Sequence, residues 1–487
     1  MRVLSFTGHP LVDVGIAAIT AFAGRRDPSQ VAVSDLEAIA DYMVKHYPVN
    51  PLKSFLTVAF PNSGFTNPAY ERTPAKRAQY AERVLRAFRS DTPTLPGERC
   101  VFTGKPAVAV ALDVADRLRP GRAFRQHVPL LTGEDVINFH PYGDAGLPIS
   151  GIALLALQAL PLGCAKVQGR LLAVHADDPD LTLRFARRFL EQNRKLIHDA
   201  QAGGDTKIPE PAHRVGTLLV GTLLDIERKR LEAGRPSSIT AYHLSNSGQS
   251  PDLKIYHVPM EIGDFLRSLQ MAQYRFAWDD LCQRGWEITP ARRRKTTGDA
   301  TLPRYNTLYE DLLRLPEDAA SFIRTYFLRV PRRRTRPGDP TTTYSMRSEA
   351  RLVSWNLTEL FLRTVVRMDR SRIEHIRTMG DALASYVQAE NDRRLFHILL
   401  TSNRYSDVRA ALIKAGQAQI RRGKPPIVGF DQFVAVFEMG EDLPYDDWRL
   451  ARDLVLIRMI EQLYAAGWIK SHADEIPEPQ LEEAAVE

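Results

Sequence analysis

Phe60-Pro61-Asn62-Ser63-Gly64-Phe65-Thr66-Asn67-Pro68 is the stretch around which the rest of the chain is read. Two prolines, a glycine and two asparagines in nine residues break helix and strand periodicity alike, so the stretch is a loop. Asn62, Ser63, Thr66 and Asn67 offer donors and acceptors on short stems, and Phe65 stands among them as an apolar wedge. The same Asn-Ser-Gly triplet recurs in Ser245-Asn246-Ser247-Gly248-Gln249-Ser250. Asn and Gln each pair a donor with an acceptor and so match a base edge, adenine most directly. The triplet is equally ordinary turn chemistry.

Outward from the loop, the chain divides by pattern. Upstream, Val12–Ala23 reads as a buried helix, Ser34-Asp-Leu-Glu37 as a capping box opening a helix to about His46, and Leu52–Phe60 as a β-rich run into the loop. Downstream, Thr73-Pro74 starts a helix to about Arg89 that carries Lys76, Arg77, Arg83, Arg86 and Arg89, either solvated or laid against phosphates. Cys100–Val110 and Val128–Phe139 read as strands, Gly151–Leu162 as a buried helix too short to cross a bilayer, and Pro179–Gln201 and Val215–Glu232 as helices. Ser238–Leu244 and Leu253–Val258 frame the second Asn-Ser-Gly loop as a hairpin. After Met260 the pattern turns helical: Gly263–Arg284, Leu308–Arg329, Arg351–Gln388, Tyr405–Arg421 and an amphipathic Tyr445–Gly467 with Leu450, Leu454, Ile457 and Tyr464 on one stripe. The expected fold class is α+β, a mixed α/β N-terminal region followed by a C-terminal α-helical bundle. The expected organisation is 1–260 mixed α/β, 261–340 a basic helical connector, 341–473 the bundle, and 474–487 an acidic disordered tail.

The chain has 487 residues and 44% apolar content, enough for a sizeable core and for two to four domains. Its formal net charge of +7 favours a polyanionic partner. Arg284–Arg336 holds 13 Lys/Arg against 6 Asp/Glu, an excess equal to that of the whole chain. Within it lie Arg292-Arg293-Arg294-Lys295 and Arg332-Arg333-Arg334-Thr335-Arg336, expected to follow a nucleic-acid backbone or to form a solvated surface. Three cysteines, Cys100, Cys164 and Cys282, fit a reducing cytoplasm, and the N-terminal residues have no signal-peptide pattern.

No catalytic constellation emerges. The chain has no phosphate-binding Gly-x-x-x-x-Gly-Lys-Ser/Thr loop, no Gly-x-Gly-x-x-Gly, no His-Glu-x-x-His and no Gly-x-Ser-x-Gly. His9 and Asp13 are better read as an exposed histidine beside a capping aspartate than as metal ligands. Asp177-Asp178-Pro179-Asp180 complements a helix N-terminus. The expectation is a non-enzyme with no cofactor.

Five segments together resemble one family: Thr7-Gly-His-Pro-Leu-Val-Asp-Val-Gly15, the Phe60–Pro68 loop, Gly146-Leu-Pro-Ile-Ser-Gly151, Leu160-Pro-Leu-Gly-Cys164 and Leu244-Ser-Asn-Ser-Gly-Gln249. They look like the CXXC–CXXC family, the large subunits of type I-B CRISPR Cascade complexes, in family order from Thr7 to about Pro259. The chain departs from that pattern. The segments near 100 and 164, zinc-ribbon-like in the family, read Cys100-Val-Phe-Thr103 and Cys164-Ala-Lys-Val167, one cysteine each, and two thiolates do not close a tetrahedral site. The expectation is no zinc, with Val101, Phe102 and Val167 packing the two segments together.

The resemblance implies a non-catalytic subunit that reads a short motif beside the target, the PAM, in double-stranded DNA and promotes strand opening and R-loop formation. It implies guide RNA, target DNA, Cascade backbone and small subunits, and a helicase–nuclease or transposition-linked effector as partners, with no membrane role. Under it, Asn62, Ser63, Phe65, Thr66, Asn67, Asn246, Ser247 and Gln249 are the expected PAM contacts. Arg292, Arg293, Arg294, Lys295, Arg332, Arg333, Arg334 and Arg336 are the expected backbone contacts. The bundle resembles a small subunit, and internal initiation at Met346 would release 142 residues (487 − 346 + 1). The alternative class is a stand-alone nuclease with an unrecognised acidic site.

Overall fold

The computed structural model describes residues 4–112, 118–131, 145–210, 214–229, 237–246, 251–288, 303–332, 339–439 and 443–476. The fold is α+β, with small antiparallel sheets in the N-terminal half and a helical C-terminal region. It divides into two compact units, Met1–Gly263 and Asp264–Glu487.

The first unit is built on helix Pro10–Phe22. His9 caps it, its Nδ1 accepting the Val12 N–H at 3.5 Å, and Pro10 fills the first turn, where no amide donor is needed. Every residue from Leu11 to Ala21 is buried. The helix packs against helix Gly151–Ala159 and the long helix Pro179–Gly203. Gly15 permits the close approach: a Cβ there would lie 1.9 Å from the Ala156 carbonyl oxygen. Beside these helices stands an antiparallel sheet whose strands, Ala165–Val167, Arg170–Ala176, Ile239–Ser245 and Asp252–Val258, lie in that order. The last two form a hairpin in register from Ile239 opposite Val258 to Ser245 opposite Asp252.

Four expectations shift here. Leu52–Phe60 is not a strand: Leu52–Leu56 is a short helix whose buried Leu52, Phe55 and Leu56 follow helical spacing, and turns lead on into the loop. The second helix starts at Val33, because the Asp35 carboxylate accepts the Ala32 N–H at 2.9 Å and moves the cap upstream of Ser34. Cys100 lies in the turn of a hairpin, Thr94–Arg99 on Pro106–Val108, instead of opening a strand. Of the strand expected over Val128–Phe139, residues 132–139 lie outside the described residues, and 128–131 are not extended.

The second unit centres on helix Trp448–Ala465, which packs on helix Arg370–Glu390. Its expected single stripe is too narrow a description. Arg452 and Asp453 are buried along with Leu454, Val455, Leu456 and Ile457, and pair with each other at 2.7 Å. The expected long helices are segmented. Gly263–Arg284 breaks into Met260–Ser268 and Ala272–Arg284. Leu308–Arg329 breaks at Pro316 into Thr307–Leu312 and Ala319–Phe322, followed by a π turn, Ile323–Phe327. Arg351–Gln388 becomes Trp355–Phe361, a second π turn at Leu362–Val366, and Arg370–Glu390. Helix Tyr405–Arg421 matches its expected bounds. Of the acidic tail, residues 477–487 lie outside the described residues. No helix among the described residues is long and apolar enough to cross a membrane.

Candidate nucleic-acid interface

The Phe60–Pro68 loop is closed from within. The Ser63 carbonyl accepts the Thr66 and Asn67 amides at 3.1 and 3.0 Å, and the Thr66 hydroxyl donates to the Phe60 carbonyl. Ser63 and Thr66 share a further bond between hydroxyls at 3.1 Å, and both are buried. Asn67 caps a one-turn helix, its Oδ1 accepting the Ala69 N–H at 3.0 Å. Phe65 is a core residue, set edge-on between Tyr47 at 5.7 Å and Tyr80 at 5.4 Å. Gly64 lies so close to Tyr80 that a Cβ would fall 2.5 Å from its ring. Ser63, Phe65 and Thr66 therefore leave the set of expected DNA contacts: their side chains hold the loop onto the core. Asn62 is half-buried and makes no side-chain hydrogen bond among the described residues. It is the residue of the loop whose amide is left available.

The second Asn-Ser-Gly segment comes to the same place. The Asn246 N–H donates to the Val58 carbonyl at 2.8 Å. Its side chain then bridges two further segments, Nδ2 donating to the Ala59 carbonyl at 2.9 Å and Oδ1 accepting the Leu130 N–H at 3.1 Å. Asn246 is thus a stitch between the strand end, the approach to the first loop and the 124–131 turn, with both the nitrogen and the oxygen of its side-chain amide bonded to backbone. Ser247 and Gln249 lie outside the described residues.

Beneath the junction lies a buried polar shelf. Tyr47 donates to the Gln158 carbonyl at 2.6 Å, and Gln158 Nε2 donates to the His127 carbonyl at 3.1 Å. Tyr80 donates to the Gln126 carbonyl at 3.0 Å and stacks on His127 at 5.8 Å. Burial pushes the His127 imidazole down to about 3, so it is neutral near pH 7.

The basic middle of the chain is placed differently from expectation. Arg292, Arg293, Arg294 and Lys295, and Arg333, Arg334 and Arg336, lie outside the described residues. Arg332 is described and is not a bare cation. It pairs with Asp311, lies 3.7 Å from Asp339, and donates to the Tyr326 hydroxyl at 2.9 Å. It belongs to a larger network in the second unit. Arg329, wholly buried, binds Glu349 through Nε at 2.9 Å and lies 3.5 Å from the Tyr344 ring centroid, while Arg284 Nε reaches the same carboxylate at 2.8 Å. In the first unit, Arg86 pairs with Glu37 and Asp41, and Arg89 with Glu37 at 2.7 Å and Glu82 at 2.8 Å. These two arginines of the Thr73–Arg89 segment are occupied by carboxylates.

Cys100 and Cys164 are buried free thiols, and burial raises the Cys164 thiol far above its ordinary range. Val101 is exposed, a correction to its expected packing role, because it sits in the hairpin turn; Phe102 packs edge-on against His9 at 4.8 Å and Val167 is buried. Asp13 is buried instead of serving as a surface cap. It accepts from the Thr7 N–H at 2.7 Å, the Thr7 hydroxyl at 2.8 Å and the Gly8 N–H at 2.9 Å, with His175 Nε2 at 3.4 Å. Burial raises its pKa, but the bonds from His175, Thr7 and Gly8 outweigh it and hold the carboxyl below its ordinary value. Asp178 caps the Pro179–Gly203 helix and Asp180 pairs with Arg184 at 2.7 Å. No group of three or more His, Cys, Asp or Glu among the described residues is placed to hold a metal ion.

One group escaped sequence reasoning. Arg363, Arg367 and Arg370 line a single cavity in the second unit. Their spacing of four and three residues was the available signal, hidden inside a segment read only as helix. Comparison with protein families, curated proteins and solved structures returned no match.

Proposed function

We propose that the chain is the non-catalytic large subunit of an RNA-guided CRISPR Cascade complex, acting in the cytoplasm. In this reading it recognises the PAM in double-stranded DNA, promotes strand opening and R-loop formation, and helps recruit a helicase–nuclease or transposition-linked effector. Its partners are guide RNA, target DNA, and the Cascade backbone and small subunits.

The observation that supports the reading is the convergence of the two Asn-Ser-Gly segments. Separated by the length of a domain, they meet through the Asn246 amide on Val58 and its side chain on Ala59. A groove reader needs small polar groups held rigidly together, and the closed loop over an aromatic shelf provides that rigidity. Within the site the roles divide: Asn62 presents a free amide for a base edge, Asn67 stands beside it at a helix N-terminus, and Asn246 sets the geometry.

The test is binding of a PAM library by the assembled complex. Asn62→Ala should cost about 1–3 kcal/mol of discrimination between PAM and non-PAM duplexes. Unchanged selectivity would sink the assignment. Tagged chain recovered from its host should bring down repeat-derived RNA of uniform length with backbone subunits; recovery without RNA or partners would reject the class.

A further inference from the structure

The four-stranded sheet of the first unit has two unlike edges. One is Ala165–Val167, short and mostly buried. The other is Asp252–Val258, the outer strand of the hairpin, seven residues long and paired among the described residues with Ile239–Ser245 alone. Leu253, Lys254, Ile255 and His257 are all exposed. Along its outer side the strand presents a row of backbone N–H and C=O groups with no strand opposite them among the described residues.

The core face of the sheet runs out across this strand. Opposed residues share a face, so Leu171, Leu244 and Leu253 stand in one row and Ala173, Tyr242 and Ile255 in the next. Leu171, Leu244 and Ala173 are fully buried and Tyr242 packs on the same core, whereas Leu253 is 40% and Ile255 59% exposed. A further strand on the open edge would carry both rows on. The opposite face is polar here: Asp252 pairs with Arg170, and Lys254 makes no hydrogen bond or ion pair among the described residues. A hydrated lysine needs no partner, but it selects among strands, because a carboxylate opposite it is favoured and a second lysine is not. That choice separates a second copy from a different chain. Laid antiparallel on its own copy in full overlap, the strand sets Lys254 opposite Tyr256; slid to centre on Lys254, it sets lysine on lysine. Only a short overlap centred on Leu253 brings an Asp252 opposite a Lys254, and that carboxylate is already held by Arg170. A different chain is free of this limit.

We propose that the outer edge of Asp252–Val258 accepts an extended strand of another polypeptide, which adds to the sheet through backbone hydrogen bonds, lays apolar side chains beside Leu253 and Ile255, and sets a carboxylate opposite Lys254. The interaction goes beyond the function proposed above and does not depend on it.

The experiment measures fluorescence anisotropy of a labelled peptide, Thr-Val-Thr-Val-Glu-Val-Thr, on the full chain. Two further peptides carry N-methyl groups on alternate amides, one on the valines and one on the other residues. An added strand turns every second amide toward the sheet, so one methylated form should bind like the parent peptide and the other should lose about tenfold or more. L253T/I255T, which keeps β-branched residues in the strand, should weaken binding about tenfold with thermal melting equal to the parent chain. Lys254→Glu should weaken the glutamate peptide about two- to fivefold and favour a peptide with lysine in its place by a similar factor. Equal effects of the two methylation patterns overturn the proposal, because apolar adsorption has no such alternation. So does the absence of binding at millimolar peptide, or an unchanged peptide preference in Lys254→Glu. A concentration-dependent dimer in sedimentation velocity that L253T/I255T abolishes would overturn it in favour of a second copy.

Discussion

The second unit contains two groups of arginines that a sequence writes in the same letters. Around Glu349, Arg329 and Arg284 converge on one carboxylate, Tyr344 covers Arg329, and Arg332 pairs nearby with Asp311 and Asp339. Around the cavity, Arg363 and Arg370 are exposed, and the ion pair of Arg363 with Glu359 is 3.9 Å long. The difference lies in burial and compensation. A guanidinium taken out of water needs a partner of opposite charge and filled hydrogen bonds, or the desolvation cost is not met. One left at the rim of an open cavity keeps its hydration and can exchange it for a ligand's phosphate. Local density of positive charge, the quantity that drew attention to Arg284–Arg336, does not separate the two cases.

The largest expected effect tests the compensated group. Glu349→Ala leaves Arg329 buried without its counter-charge and should cost about 3–5 kcal/mol in urea denaturation of the full chain. A loss below about 1 kcal/mol, the size of an exposed pair, would break the comparison. The same pairing bears on Met346. A product starting there keeps Glu349, which is buried, but lacks both Arg284 and Arg329.

The asparagines repeat the division on a smaller scale. Asn246→Ala removes a donor and an acceptor that satisfy the Ala59 carbonyl and the Leu130 amide. Leaving those groups unpaired should cost about 1–3 kcal/mol of stability. Asn62→Ala, with no such bonds among the described residues, should change denaturation midpoints little and act on DNA selectivity instead. Equal destabilisation by the two substitutions would place Asn62 with the stitches.

The sequence exposed the elements with strong local signals. Pro10 marks the start of the first helix, the apolar run after Gly151 marks a buried one, and the alternation on both sides of Asn246 marks a hairpin, whereas the cap of the first helix is His9 and not the expected Asp13. Leu52–Leu56 reads as part of a strand because the run to Phe60 is rich in β-formers, while its helical spacing of Leu52, Phe55 and Leu56 covers barely more than one turn. Which loop residues face solvent was not legible. Ser63, Phe65 and Thr66 look like Asn62 on the page, and their burial follows from Tyr47 and Tyr80, aromatic partners supplied by other segments. The pairing of Asn246 with Ala59 and Leu130 is likewise a long-range fact that no local pattern carries.

His127 extends the contrast to titration. Its imidazole is buried and pushed down to about 3, whereas in the unfolded chain it titrates near 6.5. Between those values the unfolded chain holds a proton that the folded chain does not, so stability falls as pH drops through this window. His9, His46 and His243, also shifted down by burial, contribute with the same sign, so the informative quantity is a difference between variants. His127→Phe keeps an aromatic ring against Tyr80 and titrates nothing. Its stability should fall less steeply between pH 6 and pH 5, by about 1.4 kcal/mol per pH unit. Parallel curves for the two proteins would mean that His127 gains a proton without unfolding and that the shelf is wet.

The smallest expected effect is the one that most sharpens the comparison. Arg363 and Arg370 are exposed, and the contact nearest to Arg363, with Glu359, is 3.9 Å long. R363Q/R370Q should therefore change stability by less than about 0.5 kcal/mol, within the range of ordinary surface substitutions. A clear rise would mean that Arg363 and Arg370 repel each other in the absence of an anion and would strengthen the case for a ligand there. A clear fall would mean that the cavity is held together by partners of its own, and the two arginine groups would then differ in degree only. Small in energy, the measurement separates a surface that binds from a surface that is merely folded.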